Sequence, residues 1–127
     1  MSDLSTPLAR VKGLGSAKEG VTHWWRQRLT ALLMVPLVLL LVVCVASLPS
    51  ADHARFTAWI SSPFATICLV LWIGAMFYHA QLGLQVIIED YVSSHARRTA
   101  AIILVSFVCL IAAAVGIFSV LKIALGA

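Results

Sequence analysis

FTAWISSPFATICLVLWIGAMFYHAQLGLQVII, residues 56–88, decides the fold of this chain. A helix rises 1.5 Å per residue, so about 20 apolar residues cross the hydrocarbon of a bilayer, and this run is longer than one crossing needs. Ser62-Pro63 reads as an N-cap followed by the first helical position, where the missing N–H of proline costs nothing. The crossing helix is therefore expected to begin near Pro63, with a short interfacial piece before it. The run contains no Asp, Glu, Lys or Arg, and its one side chain that ionises near neutral pH is His79. It stops at Glu89-Asp90-Tyr91.

Two further uncharged runs flank it. Leu29–Leu48 precedes it, and Thr99–Leu121, closed by Lys122, follows. The chain has 127 residues, 61% hydrophobic and only 11% charged, with a mean hydropathy of +1.01. Soluble domains are about 25% charged, and so apolar a chain would not stay in water. The expected fold is an all-α membrane protein with three transmembrane helices, at about 29–48, 63–88 and 99–122. Residues 1–28 form an N-terminal segment ahead of a membrane anchor over 29–127.

Lysine and arginine orient it. Three crossings put the N-terminal segment and the second loop on one side, and these hold Arg10, Lys12, Lys18, Arg26, Arg28, Arg97 and Arg98. The other side holds only Arg55 and Lys122. The positive-inside rule places the N-terminus in the cytoplasm and the C-terminus in the periplasm. The net charge of +4 reflects this topology and calls for no nucleic acid. The first apolar run is too long for a signal sequence and ends at Leu48-Pro49-Ser50 without a clear cleavage site, and Asp3 and Glu19 interrupt the basic leader. The chain is read as mature and bacterial, a multi-pass protein of the cytoplasmic membrane in contact with lipid. Cys44, Cys68 and Cys109 fall one per span and read as small core residues. Ala112 and Gly116 mark a small-residue face on the third span, expected to need partner helices.

A polar ring within hydrocarbon is costly, so an intramembrane histidine is a functional hypothesis by default. Three readings stand for His79: a packing hydrogen bond to a neighbouring helix, a proton relay, or an axial ligand to haem iron. Gly83, one turn on, would let a flat macrocycle approach the helix, and Val86 continues the same face. A bis-histidine haem would require its second ligand from another polypeptide. His23 precedes the first span, His53 lies in the external loop and His95 in the cytoplasmic one.

Asp90 follows His79 by eleven residues, about 20° past three full turns and roughly 16.5 Å along the axis, so the two share a face. Asp90 and Tyr91 read either as residues of an interfacial belt or as a quinone site. In the second reading the phenol donates to a carbonyl and the carboxylate orients it or feeds protons. Arg28 directly abuts the first apolar run, where arginine suits the propionates of a haem lying between that helix and His79. Trp24, Trp25 and Arg26 read as interfacial anchors. Pro36 is expected to kink the first helix.

The run His79-Ala-Gln-Leu-Gly83-Leu-Gln-Val-Ile-Ile-Glu-Asp90-Tyr91 closely resembles the HxxxGxxxxxxDY signature of the small hydrophobic D subunits of succinate dehydrogenase, respiratory complex II. Gly20-Val-Thr-His-Trp-Trp-Arg-Gln-Arg28-Leu-Thr-Ala31 resembles the N-terminal motif of that family, an arginine followed by a Thr-Ala pair. The resemblance implies a four-subunit enzyme: a flavoprotein, an iron–sulfur subunit and two three-helix anchors that sandwich haem b and help form the ubiquinone site. It implies His79 as this chain's axial iron ligand, Arg28 as a propionate contact, Tyr91 as donor to the quinone carbonyl and Asp90 in proton delivery. It also implies a second anchor subunit supplying the other haem ligand. The chain has no cysteine ligand run and no dinucleotide fingerprint, so it would be a non-catalytic subunit.

Three rivals remain. A fumarate reductase-type anchor working with menaquinone would share the three spans. A haem-free structural anchor would use His79 for packing alone. A transporter or channel subunit is disfavoured, since one ionisable residue in three spans leaves no ion pathway.

Overall fold

The computed structural model describes residues 6–11, 20–48 and 52–126. Asp3, Lys12, Lys18, Glu19 and Pro49-Ser50, used above for orientation and processing, lie outside the described residues. Five helices follow in order: α1 (Pro7–Val11), α2 (Gly20–Ala46), α3 (His53–Ile60), α4 (Pro63–Tyr91) and α5 (His95–Ala124). Three of them, α2, α4 and α5, are long and apolar enough to cross a membrane.

The long helices outrun the apolar segments that announced them. At 27, 29 and 30 residues they would measure roughly 40–45 Å, against about 30 Å of hydrocarbon. Thus α2 starts at Gly20 rather than Leu29, because hydropathy marks the edge of the hydrocarbon and not the end of helical hydrogen bonding. Pro36 lies inside α2, which continues through it. The interfacial piece expected before the second crossing is α3.

Ser62 caps α4 as expected. Its hydroxyl accepts from the Ala65 backbone N–H at 3.4 Å and donates to the Trp59 carbonyl at 2.7 Å, and Pro63 takes the first turn. Residues 92–94 then reverse the chain, with Arg98 Nε donating to the Val92 carbonyl at 3.0 Å, so α4 and α5 form an antiparallel hairpin.

Helix α4 is the centre of the bundle. It packs against α2 on one flank and α5 on the other, and among the described residues α2 and α5 do not pack on each other. Among the described residues eight are buried, and four of them lie on it: Ala65, Cys68, Ala75 and Leu82. Small side chains at the first three let both neighbours approach closely, the usual device where lipid supplies no hydrophobic drive. Gly116 of α5 sits against Ile73 of α4, where an added Cβ would come within 3.2 Å of Ile73 Cγ2. The small face expected to await a partner subunit is therefore used, at Gly116, within the chain. Cys68 and Cys109 are free and buried, as their core reading requires.

On the side of the α2–α4 connection, α3 docks on α4 and α5. Ile60 is buried, and the Ser61 hydroxyl lies between the Thr57 carbonyl of α3, at 2.9 Å, and the Ile123 carbonyl of α5, at 3.2 Å. Elsewhere the distribution is inverted relative to a soluble protein. Leucines, valines and phenylalanines are exposed along all three long helices, and among the described residues no polar or charged residue is buried.

Candidate functional site

His79 stands on the α2-facing side of α4, half-buried, with both ring nitrogens occupied from α2. Thr30 Oγ1 lies 2.9 Å from Nδ1, and Gln27 Nε2 lies 3.2 Å from Nε2. The Thr30 hydroxyl carries one proton, which reaches the Arg26 and Gln27 carbonyls of its own helix at 2.9 and 3.0 Å and leaves its oxygen to accept from the ring. The Gln27 amide nitrogen donates to Nε2. Both contacts are met together by the Nδ1–H tautomer of His79, which turns the Nε2 lone pair toward Gln27.

The Gln27 amide is only half satisfied, for its Oε1 is buried without a partner. Gln27 also fills the space beside Gly83. A Cβ on Gly83 would meet Gln27 Nε2 at 3.5 Å and no other atom within 4 Å. One side chain with a weak hold therefore covers both the ring nitrogen and the glycine gap. A ligand taking the Nε2 lone pair would displace an amide that loses one hydrogen bond and leaves one buried unpaired oxygen free to find a partner.

Sequence reasoning missed Gln27 and Thr30 as His79 partners and set His23 aside as lying before the span. His23, Gln27 and Thr30 are spaced i, i+4, i+7, the polar stripe of one helix face, and that spacing was the available signal. His23 and Arg26 line a cavity of about 440 Å³ between α2 and α4, together with Tyr78, Gln81, Gln85 and Glu89. His23 Nε2 is buried and has no partner. Gln85 Nε2 donates to Glu89 Oε1 at 2.8 Å, holding that carboxylate against α4.

The other sequence-derived candidates do not converge on the imidazole. Arg28 is exposed, its guanidinium carbon 4.9 Å from the centre of the Trp24 ring, which stands edge-on to Trp25 at 5.0 Å. Asp90 and Tyr91 close α4 at its exposed end, Tyr91 with 84% of its surface open. Because α4 is unbroken from Pro63 to Tyr91, the spacing of roughly 16.5 Å between His79 and Asp90 holds along its axis. Among the described residues no three His, Cys, Asp or Glu side chains converge as a metal site. His79 could serve a metal only as one axial donor to a group that brings its other donors with it.

A bundle with its apolar surface outward, a central helix flanked on two sides and one imidazole held between helices defines a polytopic membrane protein. Comparison with known proteins narrows this class. Residues 2–113 match the family described as succinate dehydrogenase/fumarate reductase transmembrane subunit. Succinate dehydrogenase hydrophobic membrane anchor subunits are similar over most of their length. That of Rickettsia bellii is 34% identical, covering 95% of this chain and 89% of the relative. That of Rickettsia conorii is 32% identical over 86% and 87%, and that of Paracoccus denitrificans 29% identical over 96% and 94%. The chain belongs to the succinate dehydrogenase/fumarate reductase transmembrane subunit family, with the role of a membrane anchor, multi-pass in the bacterial inner membrane.

Proposed function

We propose that this chain anchors a succinate:ubiquinone oxidoreductase, co-binds haem b through His79 and contributes Asp90 and Tyr91 to the site of ubiquinone reduction. The observation that carries the reading is the register of α4. One unbroken helix sets an imidazole with a weakly covered Nε2 about three turns from an acid and a phenol at its exposed end. The residues fit a haem: Nε2 of His79 would ligate it, Gly83 would leave room for the macrocycle once Gln27 turned aside, and Arg28, which lies over Trp24 here, would have to turn from that ring to pair a propionate. Haem b, when bound, supplies a one-electron relay within the membrane. At the end of α4 the Tyr91 hydroxyl donates to a quinone carbonyl, and Asp90 exchanges the required proton with water.

The excess of Lys and Arg in the N-terminal segment and the α4–α5 loop supports a cytoplasmic N-terminus, and in that orientation Asp90 and Tyr91 would face the catalytic subunits. The partners in this reading are a flavoprotein, an iron–sulfur subunit and a second three-helix anchor that supplies the other haem ligand. The three relatives named above carry succinate dehydrogenase in their names, which favours an anchor of succinate dehydrogenase over one of fumarate reductase. A haem-free anchor is the second reading, favoured by the Gln27 and Thr30 bonds that already satisfy His79.

Purification of the intact complex in mild detergent separates them. A b-type absorption band that disappears in His79→Ala, together with co-purifying flavoprotein and iron–sulfur subunits, supports the proposal. An active wild-type complex without that band establishes the haem-free anchor.

A further inference from the structure

We infer that Thr30 is a positioning residue for His79, fixing the tautomer and electron richness of the imidazole that ligates the haem, while Gln27 only occupies the ligating nitrogen until the haem does. The inference rests on the haem reading above and deepens it. Its basis is a directed chain of hydrogen bonds from helix to helix. The Thr30 hydroxyl donates back to its own helix, toward the Arg26 and Gln27 carbonyls at 2.9 and 3.0 Å, which leaves its oxygen to accept from Nδ1–H at 2.9 Å. The Gln27 amide nitrogen, 3.2 Å from Nε2, donates to the opposite edge of the ring in the same tautomer.

Metal-bound histidines ordinarily donate their second N–H to an acceptor, which orients the ring and raises its basicity. Thr30 supplies that acceptor from α2, and it stays in place when Gln27 leaves. The two residues therefore have opposite fates on ligation. The Thr30 bond is strengthened, because coordination makes Nδ1–H a better donor, whereas the Gln27 bond is exchanged for the metal. An electron-richer imidazole stabilises the ferric over the ferrous state, so the Thr30 bond lowers the haem potential relative to a ring without it.

Thr30→Val keeps the side-chain shape and removes the acceptor; Thr30→Ser keeps the acceptor. Both are tested in the assembled complex, together with Gln27→Leu, by haem content, equilibrium redox titration and electron paramagnetic resonance of the ferric haem. The expected result is bound haem in all three, a more positive midpoint potential and altered ferric g-values in Thr30→Val, and wild-type values in Thr30→Ser. Gln27→Leu should retain the wild-type potential. A wild-type potential and spectrum in Thr30→Val with haem bound overturns the inference. If Thr30→Val and Thr30→Ala both fail to assemble and serine restores assembly, the hydroxyl holds α2 on α4 and the tuning role is overturned. Failure of the underlying haem reading is distinct, for then His79→Ala leaves the b-type band unchanged or the wild-type complex has none.

Discussion

Gly116 of α5 lies against Ile73 of α4 so closely that a Cβ on the glycine would stand 3.2 Å from Ile73 Cγ2. This contact fixes the distance between the central helix and its C-terminal neighbour. Gly116→Ala asks Ile73 to yield by a few tenths of an ångström and should be nearly neutral, since alanine also favours the helix by about 1 kcal/mol. Gly116→Leu should destabilise by about 1–3 kcal/mol, as overpacking does. The check is the thermal midpoint of the assembled complex, and Ile73→Ala in the same chain should recover part of the loss.

Gln81 donates to Ser106 Oγ at 3.2 Å, the polar link between α4 and α5, while Ser106 donates onward to the Ile102 carbonyl at 2.8 Å. Bonds of this kind within membranes average about 0.6 kcal/mol, because the separated helices find other partners. Gln81→Leu should thus cost less than about 1 kcal/mol and leave the complex assembled. Ser106→Ala should cost a similar amount, and the double variant no more than either alone. A large loss in Gln81→Leu would mean that Gln81 acts through the cavity it lines with His23 and Arg26 as well as through the helix contact.

Gly83 makes a sharper distinction. In this structure a Cβ there meets only Gln27 Nε2, at 3.5 Å, an ordinary contact. Gly83→Ala should therefore leave α2 packed on α4 and the complex assembled. If a macrocycle lies over Gly83, the added methyl intrudes on it, and crowding of about 1–3 kcal/mol weakens haem binding by roughly one to two orders of magnitude. Haem content against protein, measured in complexes washed of loosely bound cofactor, reads the difference.

Tyr91 is open along 84% of its surface, so Tyr91→Phe should neither unfold α4 nor prevent assembly. A hydroxyl that donates to the quinone carbonyl contributes about 1–3 kcal/mol, a factor of roughly ten to a hundred in the quinone step. Quinone reductase activity should fall by that factor while succinate oxidation with an artificial dye holds. The b-type band should be unchanged in Tyr91→Phe and in Asp90→Asn, since the acid–phenol pair lies about three turns from His79. Equal loss of both activities would indicate defective assembly instead.

The elements of this chain that depend on near neighbours were legible in the sequence. The number of crossing helices follows from the apolar runs, the start of α4 from Ser62-Pro63, and the common face of His79, Gly83 and Asp90 from the 3.6-residue period, each a local property of one segment. The full helix lengths, which run past the hydrocarbon edge, do not follow from the apolar runs. The family likeness lay in the same local spacing. Tertiary structure alone decided that α4 is the middle helix, that Gly116 seats on Ile73 within the chain, and that Gln27 and Thr30 take the two edges of the His79 ring. The reason is physical. A soluble helix declares its inner face by an apolar stripe, but a membrane helix is apolar all round, and lipid competes with protein for the same surface on equal terms. With no hydrophobic contrast to read, the inward face is set by small residues and by the few polar groups that must find each other across helices.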